Sequence, residues 1–215
     1  RDYYASRGLG DVYKRQEKCV GSYKEAVEAQ KLGAHRIELC DNLEEGGTTP
    51  SYGTIKTTVR DLNIPVFVII RPRGGDFFYS PEEIEIMKQD IEICKELNVK
   101  GVVLGVLKHD KTIDYEVTKK LVKIAKPMEV TFHKAIDEVD NPVDEVEKLA
   151  EIGVDRILSS GTKETALEGQ NILNEMIKKA AHKIKIVVAG KVTKENLQEI
   201  STKIPSQEYH GKKIV

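Results

Sequence analysis

Tryptophan is absent from this 215-residue chain, and cysteine and methionine occur three times each. The cysteines, Cys19, Cys40 and Cys94, are an odd number without CxxC spacing. No disulfide framework is written in them, and a reducing, cytoplasmic setting is expected. Excess positive charge is missing too. Lysine and arginine total 34 against 35 acidic residues, for a formal net charge of −1, which argues against nucleic-acid or membrane-surface binding. No apolar run approaches the roughly 20 residues that cross a bilayer, and no charged-then-apolar leader is visible, so export is not expected. What is present, 40% hydrophobic and 32% charged residues, suits one globular domain with one good-sized core.

The opening "RDYYASRGLGDVYKRQ" has no apolar period and no initiating methionine. "DVYKRQ" also matches one reading frame of a common sequencing-library transposon end. Residues 1–16 are therefore read as a non-native or disordered segment, and 17–215 as the domain.

From Glu17 onward short β-branched runs alternate with longer segments of helical period, the signature of a parallel α/β fold. The strand candidates are "EKCV", "HRIELC", "IPVFVIIR", "GVVLGV", "MEVTFH", "DRILSS", "IKIVVAG" and "EYHGKKIV". Eight such units close a (β/α)8 TIM barrel. The helices between them carry their own punctuation: Ser22 before "YKEAVEAQKLG", Pro81 in the first turn of "SPEEIEIMKQDIEICKEL", and the same plan in "NPVDEVEKLAEIG". "KLGAHRIEL" and "EIGVDRILS" echo one another, as internal βα repetition would. About 200 residues is short against the ~250 typical of the fold. A short version lacking a full last helix is expected.

Side chains alternate across a strand, so each strand divides into an inward and an outward set. With Ile37 and Leu39 outward, Arg36, Glu38 and Cys40 turn inward. The same reasoning turns Glu17, Cys19, Arg71, Glu129, Thr131, His133, Glu208 and His210 inward, and Tyr209 outward. "RPRGGDFFYS", directly after the apolar "IPVFVII", becomes a loop at the C-terminal rim, where ligand chemistry resides in such barrels. Cys94, within "DIEICKEL", reads as core packing, and His35, His109 and His182 as surface residues.

The motifs "RIELCDNLEEGGTTPSYG", "PVFVIIRPRGGDFFYS", "EVTFHKAID", "RILSSG", "ALEG" and "EYHGKKIV" resemble the CutC family, named for copper homeostasis, nearly without gaps from Glu17 to Val215. The resemblance implies a cytosolic (β/α)8 barrel, a homodimer or higher homo-oligomer, and copper binding by Cys19 and Cys40. It places the polar rim on Glu17, Glu38, Arg71, Arg73, Asp76, His133, Glu208 and His210. One departure is "VVAGKVT", where related chains carry an extra small residue, which puts in doubt any anion cradle after the seventh strand.

Two readings of the interior stay open. Thiolates on neighbouring strands suit Cu(I), while buried cysteine also behaves as a small hydrophobe. Arg71 and Arg73, held apart by Pro72, suit the carboxylate or phosphate of a small anionic molecule, or they simply neutralise Glu38 and Asp76. In the enzyme reading Glu38, His133 and Glu208 exchange protons while Arg71, Arg73, Asp76 and His210 bind substrate. In the structural reading the histidines are hydrogen-bonded to carboxylates such as Glu208. The glycines and hydroxyls of "DNLEEGGTTPSYG" allow a weak anion cradle or an ordinary capped loop. Asp137 either supports His133 or begins the next loop.

Overall fold

The computed structural model describes residues 14–215. Residues 1–13, most of the segment set apart in the sequence, lie outside the described residues. Eight strands, β1 (Arg15–Val20), β2 (Arg36–Leu39), β3 (Val66–Ile69), β4 (Gly101–Leu104), β5 (Glu129–Phe132), β6 (Arg156–Ser159), β7 (Lys185–Val188) and β8 (Glu208–Gly211), run parallel and pair in sequence order. β1 then pairs with β8 to close the barrel. Among the described residues seven α-helices cover it: α1 (Tyr23–Lys31), α2 (Tyr52–Asp61), α3 (Pro81–Glu96), α4 (Tyr115–Ala125), α5 (Pro142–Glu151), α6 (Gln170–Ala180) and α7 (Leu197–Lys203). Among the described residues no helix follows β8, and the closed ring of eight parallel strands is the expected TIM barrel. β1 starts earlier than "EKCV": Arg15 and Gln16 pair with Glu208 and Tyr209.

Local chemistry sets the helix starts. Ser22 and Ser51 accept from the backbone N–H of Glu25 and Thr54, and α3 opens with Pro81 inside a complete Ser80–Glu83 capping box. Such caps satisfy N–H groups that have no partner within the helix. Outward-facing Ile37, Leu39, Val68, Val102, Val130 and Tyr209 pack with the helices in one continuous core. Cys94 lies in that core, fully buried, and burial pushes its thiol up to about 12.

The interior divides by height. Arg36, Glu129, Arg156, Lys185 and Glu208 are each the first residue of their strand, so they gather at the N-terminal end of the barrel. Arg36 Nη2 lies 2.5 Å and Arg156 Nε 2.9 Å from Glu208 Oε2. Arg36 also pairs with Glu17, and Arg156 Nη1 lies 2.6 Å from Glu129 Oε2. The ring of Phe67 stands 4.6 Å from one guanidinium and 5.2 Å from the other, and a Cβ on Gly101 would meet that ring at 2.6 Å. Burial works against the charge on Glu208, but the two arginines outweigh it and hold its carboxyl below the usual range.

Removing one member of a buried ion cluster strands the others without compensation and typically costs about 3 to 5 kcal/mol. Glu208→Gln is expected to lose stability on that scale in urea unfolding at neutral pH. An unchanged urea midpoint would show that the cluster does not tie the strands together.

Candidate functional site at the barrel mouth

The opposite end of the barrel collects a different set. Cys19 is the next-to-last residue of β1, Cys40 follows β2, Arg71 lies two residues beyond β3, His133 follows β5 and His210 is the third residue of β8. Cys19, Glu38, Arg71, Phe77, His133 and His210 line a cavity of about 270 Å³. A larger depression of about 440 Å³ at the other end includes Lys178, His182, Lys185 and Glu208. The carboxylate of Glu208 is committed there to the arginines, so free chemistry concentrates at the mouth.

On the β1–β2 side Cys19 Sγ and Cys40 Sγ stand 3.9 Å apart, both buried. Cys19, Glu38 and Cys40 each offer a ligand atom within 4.8 Å of the others, and Glu17, Glu38 and His210 do the same. Gly47, at φ +96°, passes close above: a Cβ there would lie 3.4 Å from Cys40 Sγ. The hydrogen bond with Cys40 holds the Cys19 thiol below its ordinary value against the opposing effect of burial. The same bond, then burial, pushes Cys40 well up. The two thiols are thereby made unequal, Cys19 being the more readily ionised. His210 Nε2 meets Glu38 Oε2 at 2.8 Å. Burial opposes charge on both partners; hydrogen bonds with Cys19 and then Glu38 nevertheless hold His210 well above its usual range, and the hydrogen bond and attraction of His210 hold Glu38 below its own.

His133 behaves differently. Its Nδ1 accepts the Ala135 N–H at 3.2 Å, while Nε2 is buried without a partner. Burial and then the Arg71 charge lower its pKa to about 4. At neutral pH it is an uncharged imidazole with the proton on Nε2. A Cβ on Gly105 would reach Nδ1 at 2.5 Å, so glycine there makes room for the ring.

Arg71 does not pair with Glu38. Its Nη1 donates to the carbonyls of Glu45 (2.7 Å) and Gly47 (2.9 Å), and Nη2 to that of Gly75 at 2.6 Å. Nε has no partner. Arg73 instead pairs with Asp76 at 3.0 Å and Glu83 at 2.6 Å, and donates to the Phe78 carbonyl. Arg73 and Asp76 thus fasten the rim loop and do not line the cavity. The glycine-rich loop after β2 turns carbonyls toward Arg71 rather than N–H groups toward an anion, and Ser51 already caps α2. Asp137 accepts from Ser159 Oγ, Ser160 N and Oγ and Thr162 N, which ties the exit of β5 to that of β6 and leaves His133 aside.

The mouth therefore unites Cys19, Glu38, Cys40, Arg71, His133 and His210, and leaves out Arg73, Asp76 and Glu208. Sequence reasoning did not single out Phe77, Leu43 or Lys212, which also line it. Phe77 belongs to the quoted rim loop, but its inward turn depends on the loop's path. Among the other histidines, His35 accepts from Gln16 N at 3.1 Å, and His109 stacks edge-on against Phe78.

The pH dependence of stability follows from His133. Its folded pKa of about 4 lies below the ordinary 6.5, so protons favour the unfolded chain. The contribution is complete above pH 6.5 and is lost as pH falls toward 4, about 3 kcal/mol in all. Urea midpoints followed from pH 7 to pH 4.5 should fall less steeply in His133→Phe than in the wild type. Parallel curves would remove His133 as a source of acid sensitivity.

Comparison with known proteins places these features in context. Residues 14–215 match the family described as the CutC family. The human copper homeostasis protein cutC homolog is 45% identical over 194 residues, 90% of this chain and 71% of the human protein. A CutC family protein of Parabacteroides distasonis is 44% identical, covering 90% of this chain and 80% of its own. The crystal structure of a copper homeostasis protein CutC of Streptococcus agalactiae superposes with a TM-score of 0.88 at 35% identity, over 93% of this chain and 99% of that one.

Proposed function

The chain belongs to the CutC family, and from that premise we propose that it serves copper homeostasis by binding Cu(I) through Cys19 and Cys40 at the barrel mouth. The observation that supports this reading is the pair of buried thiols 3.9 Å apart. Soft thiolates favour Cu(I) over hard cations, and a thiolate rather than a thiol is the ligand. Binding therefore displaces thiol protons as the sulfurs ionise. His210 and Glu38 lie against the pair and balance charge around it.

The strand register also favours a reduced pair. Cys19 sits opposite Glu38, two residues before Cys40, which separates the two Cα atoms by about 8 Å given ~4.8 Å between strands and ~3.3 Å rise per residue. Disulfides usually need about 4.4–6.8 Å. The sulfurs meet, yet a bond between them requires the backbone to move. All three cysteines are free, which suits a cytoplasmic location, and no helix among the described residues is long and apolar enough to cross a membrane. The family resemblance adds self-association as a homodimer or higher homo-oligomer.

A second reading is an enzyme acting on a small anionic carboxylate or phosphate metabolite. What favours it is a buried Glu38–His210 pair beside Arg71, more acid, base and cation than two thiol ligands need. Glu38 and His210 would exchange protons, while neutral His133 would donate a hydrogen bond.

Titration of the reduced protein with Cu(I) against a competing chelator should give near one equivalent bound. Cys19→Ser/Cys40→Ser should lose that binding by at least about tenfold in affinity, equal to about 1.4 kcal/mol, with an unchanged circular dichroism spectrum. Undiminished affinity in the folded double variant would count against the thiol site.

A further inference from the structure

The geometry points to a binding site for a small monocarboxylate with an apolar body, held by Arg71 and His133 between the apolar walls of the mouth. The inference deepens the second reading by naming the ligand class, but it rests on binding alone and requires no turnover.

Two buried N–H groups carry it. Arg71 Nε and His133 Nε2 are shielded from solvent and make no hydrogen bond of good geometry, in residues only 4% exposed; the buried Tyr79 hydroxyl lies beside the Arg71 guanidinium and is itself left unpaired. Buried donors are seldom left unmade, and each orphan calls for an explanation. Both side chains line the same cavity. His133 is fixed as a donor on that nitrogen because its other one accepts from Ala135 N. Arg71 is fixed in place because its Nη atoms hold three backbone carbonyls.

Charge points the same way. No carboxylate among the described residues forms an ion pair with Arg71, whereas Glu38 is engaged by His210, Asp76 by Arg73, and the deeper acids by Arg36 and Arg156. A buried guanidinium without a counterion is costly, and an oxyanion entering the mouth supplies one. Lys212 adds a cation at the rim.

The walls select the kind of anion. Leu43, Ile69, Phe77 and Leu158 line the cavity, and Phe77 packs against both side chains, its ring centre 4.8 Å from that of His133 and 5.0 Å from the Arg71 guanidinium carbon. Two N–H groups match the two oxygens of a carboxylate, and the apolar surround suits a short hydrocarbon body better than a hydrated phosphate.

The test uses the reduced, metal-free chain, ¹⁵N-labelled and titrated at neutral pH with isobutyrate, its neutral amide isobutyramide, or inorganic phosphate. Isobutyrate is expected to shift the His133 imidazole nitrogen signals while leaving those of His109 and His182 in place. Isobutyramide and phosphate are expected to bind at least tenfold more weakly. His133→Phe should lower isobutyrate affinity at least tenfold, and His133→Gln, whose amide can both accept from Ala135 and donate, should recover part of the loss. If His133→Phe does not fold, the wild-type shifts still decide. Unmoved His133 signals, equal affinity for the amide, or preference for phosphate would each overturn the proposal. Cu(I) titration of the same variants separates the two ideas, since the thiol site is expected to survive the loss of His133.

Discussion

Closure of eight parallel strands into one hydrogen-bonded ring forces every second side chain of each strand into a shared interior from which water is excluded. Apolar residues would fill that interior at no electrostatic cost, yet this chain sends in arginine, glutamate, histidine and cysteine. Each buried charge must then be answered by another, and the register of the ring decides which groups are near enough to answer. Arg36 and Arg156 meet Glu208 because all three begin their strands. Glu38 meets His210 because both are third residues of theirs.

The result is a structural charge cluster at one end and a reactive set at the other, with apolar groups on the barrel wall. Leu158, Val187 and Ala189 form one small interior patch, and Cys19, Cys40 and Ile69 another. At the lower end Glu208 is held by two guanidinium groups and Glu17 by one, which suits them to holding the ring together, while the other oxygen of Glu17 faces His210 at 4.0 Å. At the mouth Cys19 and Cys40 are bonded chiefly to each other, and two donors have no acceptor.

Period and punctuation made the architecture legible: seven of the eight quoted runs contain a whole strand and "EKCV" is the end of β1, and the alternation that turned Ile37 and Leu39 outward also turned Glu38 and Cys40 inward. Height was the harder quantity. Alternation says which face a residue occupies but not how far along the barrel it sits relative to a residue on another strand, and that offset belongs to the stagger of the closed ring. Glu208 and His210, two residues apart on one face, illustrate the gap, because one pairs at the base and the other at the mouth. Arg73 and Asp76 show a second limit. Their residue types suit a ligand, but the loop's path gives them to Glu83 and to each other. Arg156 was hidden in "DRILSS" because a charge at the start of a strand looks like the end of the preceding loop.

The separation of thiols from oxyanion donors within one opening follows from strand position. Cys19 and Cys40 come from β1 and β2, Arg71 and His133 from the exits of β3 and β5. The Glu38–His210 pair faces the same cavity from β2 and β8. A soft cation at the sulfurs and a carboxylate at the far wall would therefore use different atoms. Their influence on one another would travel through the field in a poorly solvated space, where charges are less screened than in water. Arg71 sets the limit on that freedom: its Nη groups bind the loop carbonyls over Cys40 while its Nε faces the problem of a missing acceptor. Lysine offers a point charge on a flexible stem and cannot hold three carbonyls and a fourth partner in one plane. The same guanidinium that keeps the β2 loop folded over the thiols is thus the group that leaves an acceptor site open.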